Sequence, residues 1–302
     1  MKQLRNAIMR AFIVYFLGLS IVGDVTNELI TELDSWVFGA EYQVITPMIT
    51  GMLQILMVLL FSFLFYRSLN KKIEKESQRL AKKQSTLFAN IAHDLKTPLT
   101  SITGFSKALN EDIVETEEIK EVTSIIHQKS VTANELLDLM FQYTKLNSAD
   151  FHLNKQSCAV NLLLKETVAA YYDVIEKHQI DFTFDIPEEP VIREIDQLEM
   201  RRVFSNLLIN ACKHNPIKTT LAITMVNKGN KAEIIFADNG TKIPQKDRAQ
   251  LFHPFVSENE AERSFQGSGL GLAIVKTIID KHGFTIDLLD DDEYTKKFVL
   301  TV

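Results

Sequence analysis

The chain has 302 residues, with 39 Asp and Glu against 33 Lys and Arg and a net charge of −6, a balance that argues against a nucleic-acid-binding surface. Its two cysteines, Cys158 and Cys212, lie far apart without metal-ligand spacing, which argues against a disulfide framework and a zinc site. The length allows two or three folding units. Apolar residues crowd into the first 66 positions, and the remainder reads as soluble.

Ala11 to Val22 carries no charge but covers only about 18 Å as a helix, too short for a bilayer. Extended to about residues 6–25 it reaches about 30 Å and sets Arg10 near an interface, where its long side chain snorkels to water. A cleaved signal peptide is the rival reading, but no small-x-small cleavage site follows Val22. Val44 to Tyr66 is also uncharged and spans about 34 Å, enough for a second crossing. The connecting loop, about 26–43, is acidic and too short for a folded sensor, with Trp36 and Tyr42 as candidates for the outer interface or for loop packing. Basic residues flank the two spans on the other side: Lys2, Arg5 and Arg10 before the first, and Arg67, Lys71, Lys72 and Lys75 after the second. The positive-inside rule then places both termini of a multi-pass membrane protein in the cytoplasm.

Residues 67–84 keep an apolar beat of seven through Ile73, Leu80 and Leu87, which reads as a short coiled-coil-like signalling helix. From 85 to 150 the pattern is a helical hairpin. One stripe runs through Phe88, Ile91, Leu95, Leu99, Ile102, Phe105 and Leu109. After a polar turn at 110–118 a second runs through Ile119, Val122, Ile126, Ala133, Leu136, Met140 and Tyr143. Two such helices bury too little alone, so pairing with a second copy into a four-helix bundle is expected. His93 lies two residues from both Ile91 and Leu95, about 200° around the helix from that stripe, and so faces solvent. Pro98 lacks the N–H that would meet the Asp94 carbonyl, and a bend is expected there.

From about 155 the pattern turns to mixed α and β. Helices are expected at 161–177, 195–213 and 270–282, with strands at 181–186, 219–226, 231–237, 284–289 and 297–302. Asn206, Asn210 and Lys213 share one face of the second of these helices, and an Asn carbonyl suits Mg²⁺ shared with substrate phosphates. Asp238-Asn239-Gly240 ends an apolar strand, where a carboxylate can accept from an exocyclic amine and Gly240 lets backbone approach a flat ring. Gly267-Ser268-Gly269-Leu270-Gly271 precedes the last helix, a place where backbone N–H groups meet anions. No strand precedes it and no Gly-Lys-Ser/Thr follows, so neither a dinucleotide fingerprint nor a P-loop fits. Residues 244–266 read as a mobile lid over this site.

The order of these parts resembles the sensor histidine kinases of two-component systems over about residues 85–302. The resemblance implies a dimerisation and phosphoacceptor hairpin at 85–150 and an α/β sandwich ATP-binding domain of the gyrase, heat-shock-90 and mismatch-repair type at 155–302; with the two transmembrane helices read in 1–66 this gives a membrane-anchored α plus α/β architecture, in a bacterial cell membrane. It implies that His93 takes the phosphoryl group, that Asp94 acts as its base and that Thr97 positions water for dephosphorylating the partner. Asn210 matches the Mg²⁺ ligand, with Asn206, Lys213 and His214 lining the ATP. Asp238 matches the adenine-reading carboxylate, with Gly240 beside it. Phe252 and Phe255 match the aromatic pair of the lid, and Gly267, Gly269, Gly271 and Leu272 the phosphate loop. The implied activity is autophosphorylation of His93 from Mg-ATP in a homodimer, then transfer to an Asp of a cognate response regulator. The short outer loop resembles kinases that answer envelope stress or antimicrobial peptides, with an ABC transporter as a further expected partner. One departure stands out: Lys242 occupies a position where the family favours a second Gly. The rival reading is a non-catalytic membrane sensor or scaffold whose nucleotide site Lys242 has disabled.

Overall fold

A computed structural model describes residues 2–37, 45–148, 150–248, 250–254 and 269–302, which fall into two units, Met1–Thr86 and Leu87–Val302. The first unit holds helix α1 (Lys2–Val37) and the N-terminal part of helix α2 (Ile45–Asn110). Both are long and apolar enough to cross a membrane, over Ile8–Leu29 in α1 and from Gly51 onward in α2. They meet through aromatic rings, with Phe65 edge-on to Phe12 at 6.0 Å and to Tyr15 at 5.7 Å between centroids. Gly18 admits the Phe61 ring, which lies 3.1 Å from where a Cβ would stand. Their remaining surface is apolar and open: Val14, Met52, Leu56 and Leu60 are all exposed. A surface of that kind needs a non-aqueous cover.

One expectation is corrected in this unit. The connection expected over 26–43 is helical as far as Val37. Charge ends an apolar span without ending a helix, and nothing between Asp24 and Val37 breaks one. Thr26 also spends its hydroxyl on the carbonyl of Val22, at 2.8 Å, inside the helix. Residues 38–44, Tyr42 among them, and the Trp36 side chain lie outside the described residues.

In the second unit α2 continues without a break through Pro98 to Asn110, and α3 (Ile119–Asn147) follows after a turn. Each stripe is only half covered. Ile91, Val122, Ala133 and Leu146 are buried, whereas Phe88, Leu99, Ile119 and Phe141 are exposed.

The α/β part is built on a five-stranded sheet of order β2-β4-β5-β7-β6. Its strands are β2 (Asp181–Asp185), β4 (Thr220–Asn227), β5 (Ala232–Asp238), β6 (Thr285–Leu289) and β7 (Lys296–Thr301). All neighbours are antiparallel except β2 with β4. The hairpin β4–β5 turns at Gly229, whose φ of 74° suits a residue without a side chain. Helices α4 (Val160–Ala170), α6 (Gln197–Lys213) and α8 (Gly271–His282) pack together, and α6 lies against β5. The α7 turn (Gln245–Arg248) and the short α5 (Tyr172–Lys177) add to this part, and Ile175 of α5 is buried in the same core. The period-2 pleat sends Ile234, Phe236, Phe298 and Leu300 into one core with Phe204, Leu208, Ile274 and Ile278 of the helices. Phe204 stacks on Phe236 at 6.3 Å.

Two further strands, β1 (Gln156–Ala159) and β3 (Ile192–Ile195), pair antiparallel as a separate ribbon that the sequence pattern does not announce. The helix expected over 161–177 is split at Tyr171, whose ring turns toward the core. Gly283 closes α8 in the left-handed region with φ 82°.

Asp196 caps α6 by accepting from the Glu199 N–H at 3.1 Å. Its own N–H goes to His282 Nε2 at 3.0 Å, while His282 Nδ1 faces the Ile278 carbonyl at 2.8 Å. Nδ1 therefore carries the proton and the ring is neutral, sealed against Phe284. Burial lowers the His282 pKa below its ordinary value. Above about pH 6.5 the imidazole is neutral in both folded and unfolded chains, and the fold keeps its full stability. Below it the unfolded chain takes the proton first, so stability falls with pH down toward the folded pKa. Melting of the full chain, followed by circular dichroism from pH 7.5 to 5, should show this loss, and His282→Gln should flatten the slope even though it lowers the melting temperature throughout. An unchanged slope would contradict the account.

Candidate active site

Helix α6 carries one edge of the site. Its core face, Met200, Val203, Phe204, Leu207 and Leu208, is fully buried, which turns Asn206 and Asn210 toward the half-open side. Asn206 donates from Nδ2 to the Arg202 carbonyl one turn back at 2.9 Å, which fixes its amide and aims Oδ1 at Gly271. A Cβ on Gly271 would stand 3.2 Å from that oxygen, so glycine sets the close approach of α8 to α6. Asn210 has no side-chain hydrogen bond among the described residues. Among the described residues its carbonyl oxygen is uncommitted, one turn along α6 from Asn206, which faces Gly271 at the N-terminus of α8. That donor set suits Mg²⁺, which takes few protein oxygens and shares its shell with phosphates.

The other end lies where β5 and β7 finish. Asp238 is 2% exposed and Lys296, its cross-strand neighbour, 3%. The Lys296 ammonium reaches Asp238 Oδ1 at 3.1 Å and donates to Asn215 Oδ1 at 2.5 Å. The Gly240 N–H donates to the same Asp238 oxygen at 3.0 Å, and Thr295 donates its hydroxyl to the Gly240 carbonyl at 2.6 Å. Asn215 fills the space over Gly240, where a Cβ would fall 1.9 Å from its Oδ1. Asn215 itself is tied by Nδ2 to the Ala211 carbonyl at 2.9 Å, just beyond α6. One helix thus leads from the glycine end to the carboxylate end.

Of the remaining expected residues, Lys213 is exposed and reaches Glu135 of α3 at 3.6 Å, a link between the hairpin and the α/β part. His214 caps α6 and is exposed. Phe252 sets its ring edge-on to Phe298 at 6.4 Å, Gly269 has a φ of 62°, and Leu272 packs against the core. Phe255 and Gly267 lie outside the described residues, as does most of the expected lid.

Lys242 does not enter the network around Asp238. Its ammonium bonds Asp290 Oδ2 at 2.6 Å, and Arg248 takes the other oxygen at 2.8 Å. The hydrogen bond from Arg248, and next that from Lys242, holds the Asp290 carboxyl far below the usual carboxylate range. The buried thiol of Cys212, on the core side of α6, is pushed up to about 11 and plays no part.

His93 stands in the same unit on α2. Its side chain is 76% exposed, that of Asp94 only 15%, and Nδ1 lies 3.3 Å from Asp94 Oδ1. Thr97, one turn on, is exposed as well. The carboxylate is held by the helix while the imidazole is free to be approached from outside.

The sequence pattern misses Lys296, Asn215 and Asp290. The inward parity shared with Phe298 and Leu300 was the available signal for Lys296.

Residues 83–149 match the family described as His Kinase A (phospho-acceptor) domain, and residues 195–302 match the Histidine kinase-, DNA gyrase B-, and HSP90-like ATPase family. Among curated relatives, sensor protein GtcS of Aneurinibacillus migulanus is 30% identical over 203 residues, 67% of this chain and 55% of GtcS. Sensor histidine kinase YcbM of Bacillus subtilis (strain 168) is 26% identical over 234 residues, 77% of this chain and 75% of YcbM. The chain thus spans about half the length of GtcS and three quarters of YcbM. Among solved structures, histidine kinase ThkA in complex with response regulator protein TrrA superposes with a TM-score of 0.62 at 23% identity, covering 77% of this chain and 65% of that one. Acinetobacter baumannii histidine kinase AdeS gives 0.57 at 20%, covering 70% and 96%. These structural likenesses carry the fold: a helical hairpin followed by an α/β sandwich.

The contact at Gly240 is testable on stability alone. Gly240→Ala should lower the melting temperature through the collision with Asn215, and the double variant with Asn215→Ala should lose about 1–3 kcal/mol less than the sum of the single losses. Strict additivity in thermal unfolding would contradict the packing described.

Proposed function

Because the chain belongs to the sensor histidine kinases of two-component systems, we propose that it autophosphorylates His93 from Mg-ATP and passes the phosphoryl group to an Asp of a response regulator. The observation that carries this reading is the exposed His93 beside a shielded Asp94, in the same unit as a site with an uncommitted Asn210, a glycine-led helix N-terminus and a buried Asp238. With the Nδ1 proton donated to Asp94, the Nε2 lone pair is the nucleophile. Nε2 bonds to the γ-phosphorus as the bond to the β–γ bridging oxygen breaks, and ADP leaves. The imidazolium that forms, still carrying its Nδ1 proton, then gives that proton up to the Asp94 carboxylate. Such a transfer rests on positioning and charge neutralisation.

On this reading Asn206 and the α8 N-terminus hold phosphates, Asp238 reads the base and Phe252 supports the lid. Mg²⁺ at Asn210, when bound, neutralises phosphate charge. Thr97 positions water when the regulator is dephosphorylated. The domain division follows as membrane region 1–66, signalling helix 67–84, phosphoacceptor hairpin 85–150 and catalytic domain 155–302. Two crossings with both termini cytoplasmic suit the charge pattern, and the uncovered Phe88, Leu99 and Phe141 suit a homodimer. α2 is one unbroken helix from the second crossing to His93, a direct mechanical route for a signal. The acidic outer segment suits cationic envelope-active peptides as stimulus, with an ABC transporter as partner. Lys242, engaged by Asp290, leaves the base end intact and speaks against a disabled scaffold.

Labelled ATP and Mg²⁺ supplied to the full chain in membranes should give a phosphoprotein that is labile in acid and stable in alkali. His93→Gln should abolish the label, and its survival would sink the kinase reading. Asn210→Asp should also abolish it with the circular dichroism spectrum unchanged. Full labelling in that variant would remove Asn210 from the metal site.

A further inference from the structure

Lys242 stands where the related kinases favour a second glycine, yet its backbone makes no use of a glycine's freedom. Among the described residues the non-glycine positions with positive φ are Asp112, Gln179 and Lys218, so Lys242 keeps an ordinary L-residue conformation. It lies in the loop from Asn239 to Pro244, which joins the end of β5 to α7. The first residues of that loop are tied. Asn239 Oδ1 accepts the Thr220 N–H at 2.8 Å, and Gly240 is held through Asp238 and Thr295. Farther on, Ile243 is buried and its carbonyl accepts from Arg248 Nε at 3.3 Å. Between these anchors no backbone hydrogen bond holds Thr241 or Lys242 among the described residues. The Lys242 side chain supplies the tie instead, its ammonium meeting Asp290 Oδ2 at 2.6 Å.

Asp290 is presented from a stiff support. It follows β6 directly, in the turn 290–295 that leads to β7. Asp291 braces that turn: its Oδ1 accepts the N–H groups of Glu293 and Tyr294 at 3.1 and 2.8 Å, and its Oδ2 the Lys297 ammonium at 2.6 Å. Both oxygens of Asp290 go to cations of the facing segment, Lys242 before the Ile243–Pro244 step and Arg248 after it. The Arg248 and Asp290 side chains are only 15% and 24% exposed, so their bond is shielded and fixes the carboxylate for the more open Lys242. At the other end of the same turn Thr295 bonds the Gly240 carbonyl. One braced turn thus holds the loop at Gly240 and again two residues on.

We infer that Lys242 and Asp290 are positioning residues for the nucleotide: their ion pair fixes the loop after Gly240, and with it the turn that sets Asp238 and Gly240 against the base. The lysine does by charge what the loop lacks in backbone hydrogen bonds. This rests on the reading of Asp238 as the base-reading carboxylate, and the two are separable by experiment. Titration of the full chain in nanodiscs with a fluorescent ADP analogue and Mg²⁺ reads affinity, and the rate of His93 labelling at rising ATP separates KM from kcat. Lys242→Met should weaken binding and raise KM about three- to tenfold, with labelling at saturating ATP within about twofold of wild type. Asp290→Asn should lose at least as much, because it also releases Arg248, and adding Lys242→Met to it should cost little more. Lys242→Arg, which still reaches the carboxylate, should keep the wild-type affinity. Lys242→Gly, which restores the glycine of the related kinases, should bind as weakly as Lys242→Met. The Lys242 side chain is exposed, so none of its variants disturbs the core. Unchanged affinity in Lys242→Met, or tighter binding in Lys242→Gly, overturns the positioning role and leaves the base-site reading standing. Failure of the wild-type chain to bind the analogue removes both.

Discussion

The α/β part depends on the division of α6 into two faces. Met200, Val203, Phe204, Leu207 and Leu208 are buried against the sheet and its neighbouring helices, at about 1.5–3 kcal/mol for each large apolar side chain taken from water. That burial fixes the rotation of the helix about its axis. Once the rotation is fixed, the sides to which Asn206 and Asn210 point are set, and the same helix delivers Asn215 to Lys296 and Gly240. The site is a by-product of core packing in this sense: a polar face set rigidly because the opposite face cannot leave the core.

The sheet imposes a second constraint of the same kind. Parity along β5 places Asp238 on the covered face with Ile234 and Phe236, and parity along β7 places Lys296 with Phe298 and Leu300. Two opposite charges buried side by side cost desolvation that their attraction and hydrogen bonds must offset. Here the pair is supported by Gly240, Asn215 and Thr295, a network that orders the turn after β5. Lys242, by contrast, is drawn to Asp290, whose other oxygen Arg248 takes, and stays out of this network.

Much of this was legible in the sequence, for identifiable reasons. The α6 face was readable because Asn206 and Asn210 are four apart on a strongly amphipathic helix, and Asp238 because it ends an alternating strand. The solvent-facing His93 followed from its angle to Ile91 and Leu95. What escaped has physical reasons too. Strands β1 and β3 are four residues each and half polar, with no run long enough to show a period. The reach of α1 to Val37 escapes the pattern because the polar residues after Val25 end the apolar span without ending the helix. Lys296 escaped because a lysine at a strand start reads as a solvated end, and only the cross-strand register shows that it faces inward. Phe255 and Gly267 lie outside the described residues.

The central claim is that the nucleotide held between Gly271 and Asp238 loses its γ-phosphoryl group to a nitrogen of His93. Phosphorus NMR of the full chain with Mg-ATP tests it most directly, because it reads the bond that forms. The account requires a phosphoramidate signal coupled to imidazole protons, persisting in alkali and vanishing on acidification, with ADP released in step. A phosphoester signal, or consumption of ATP with no protein-bound phosphorus, would contradict it.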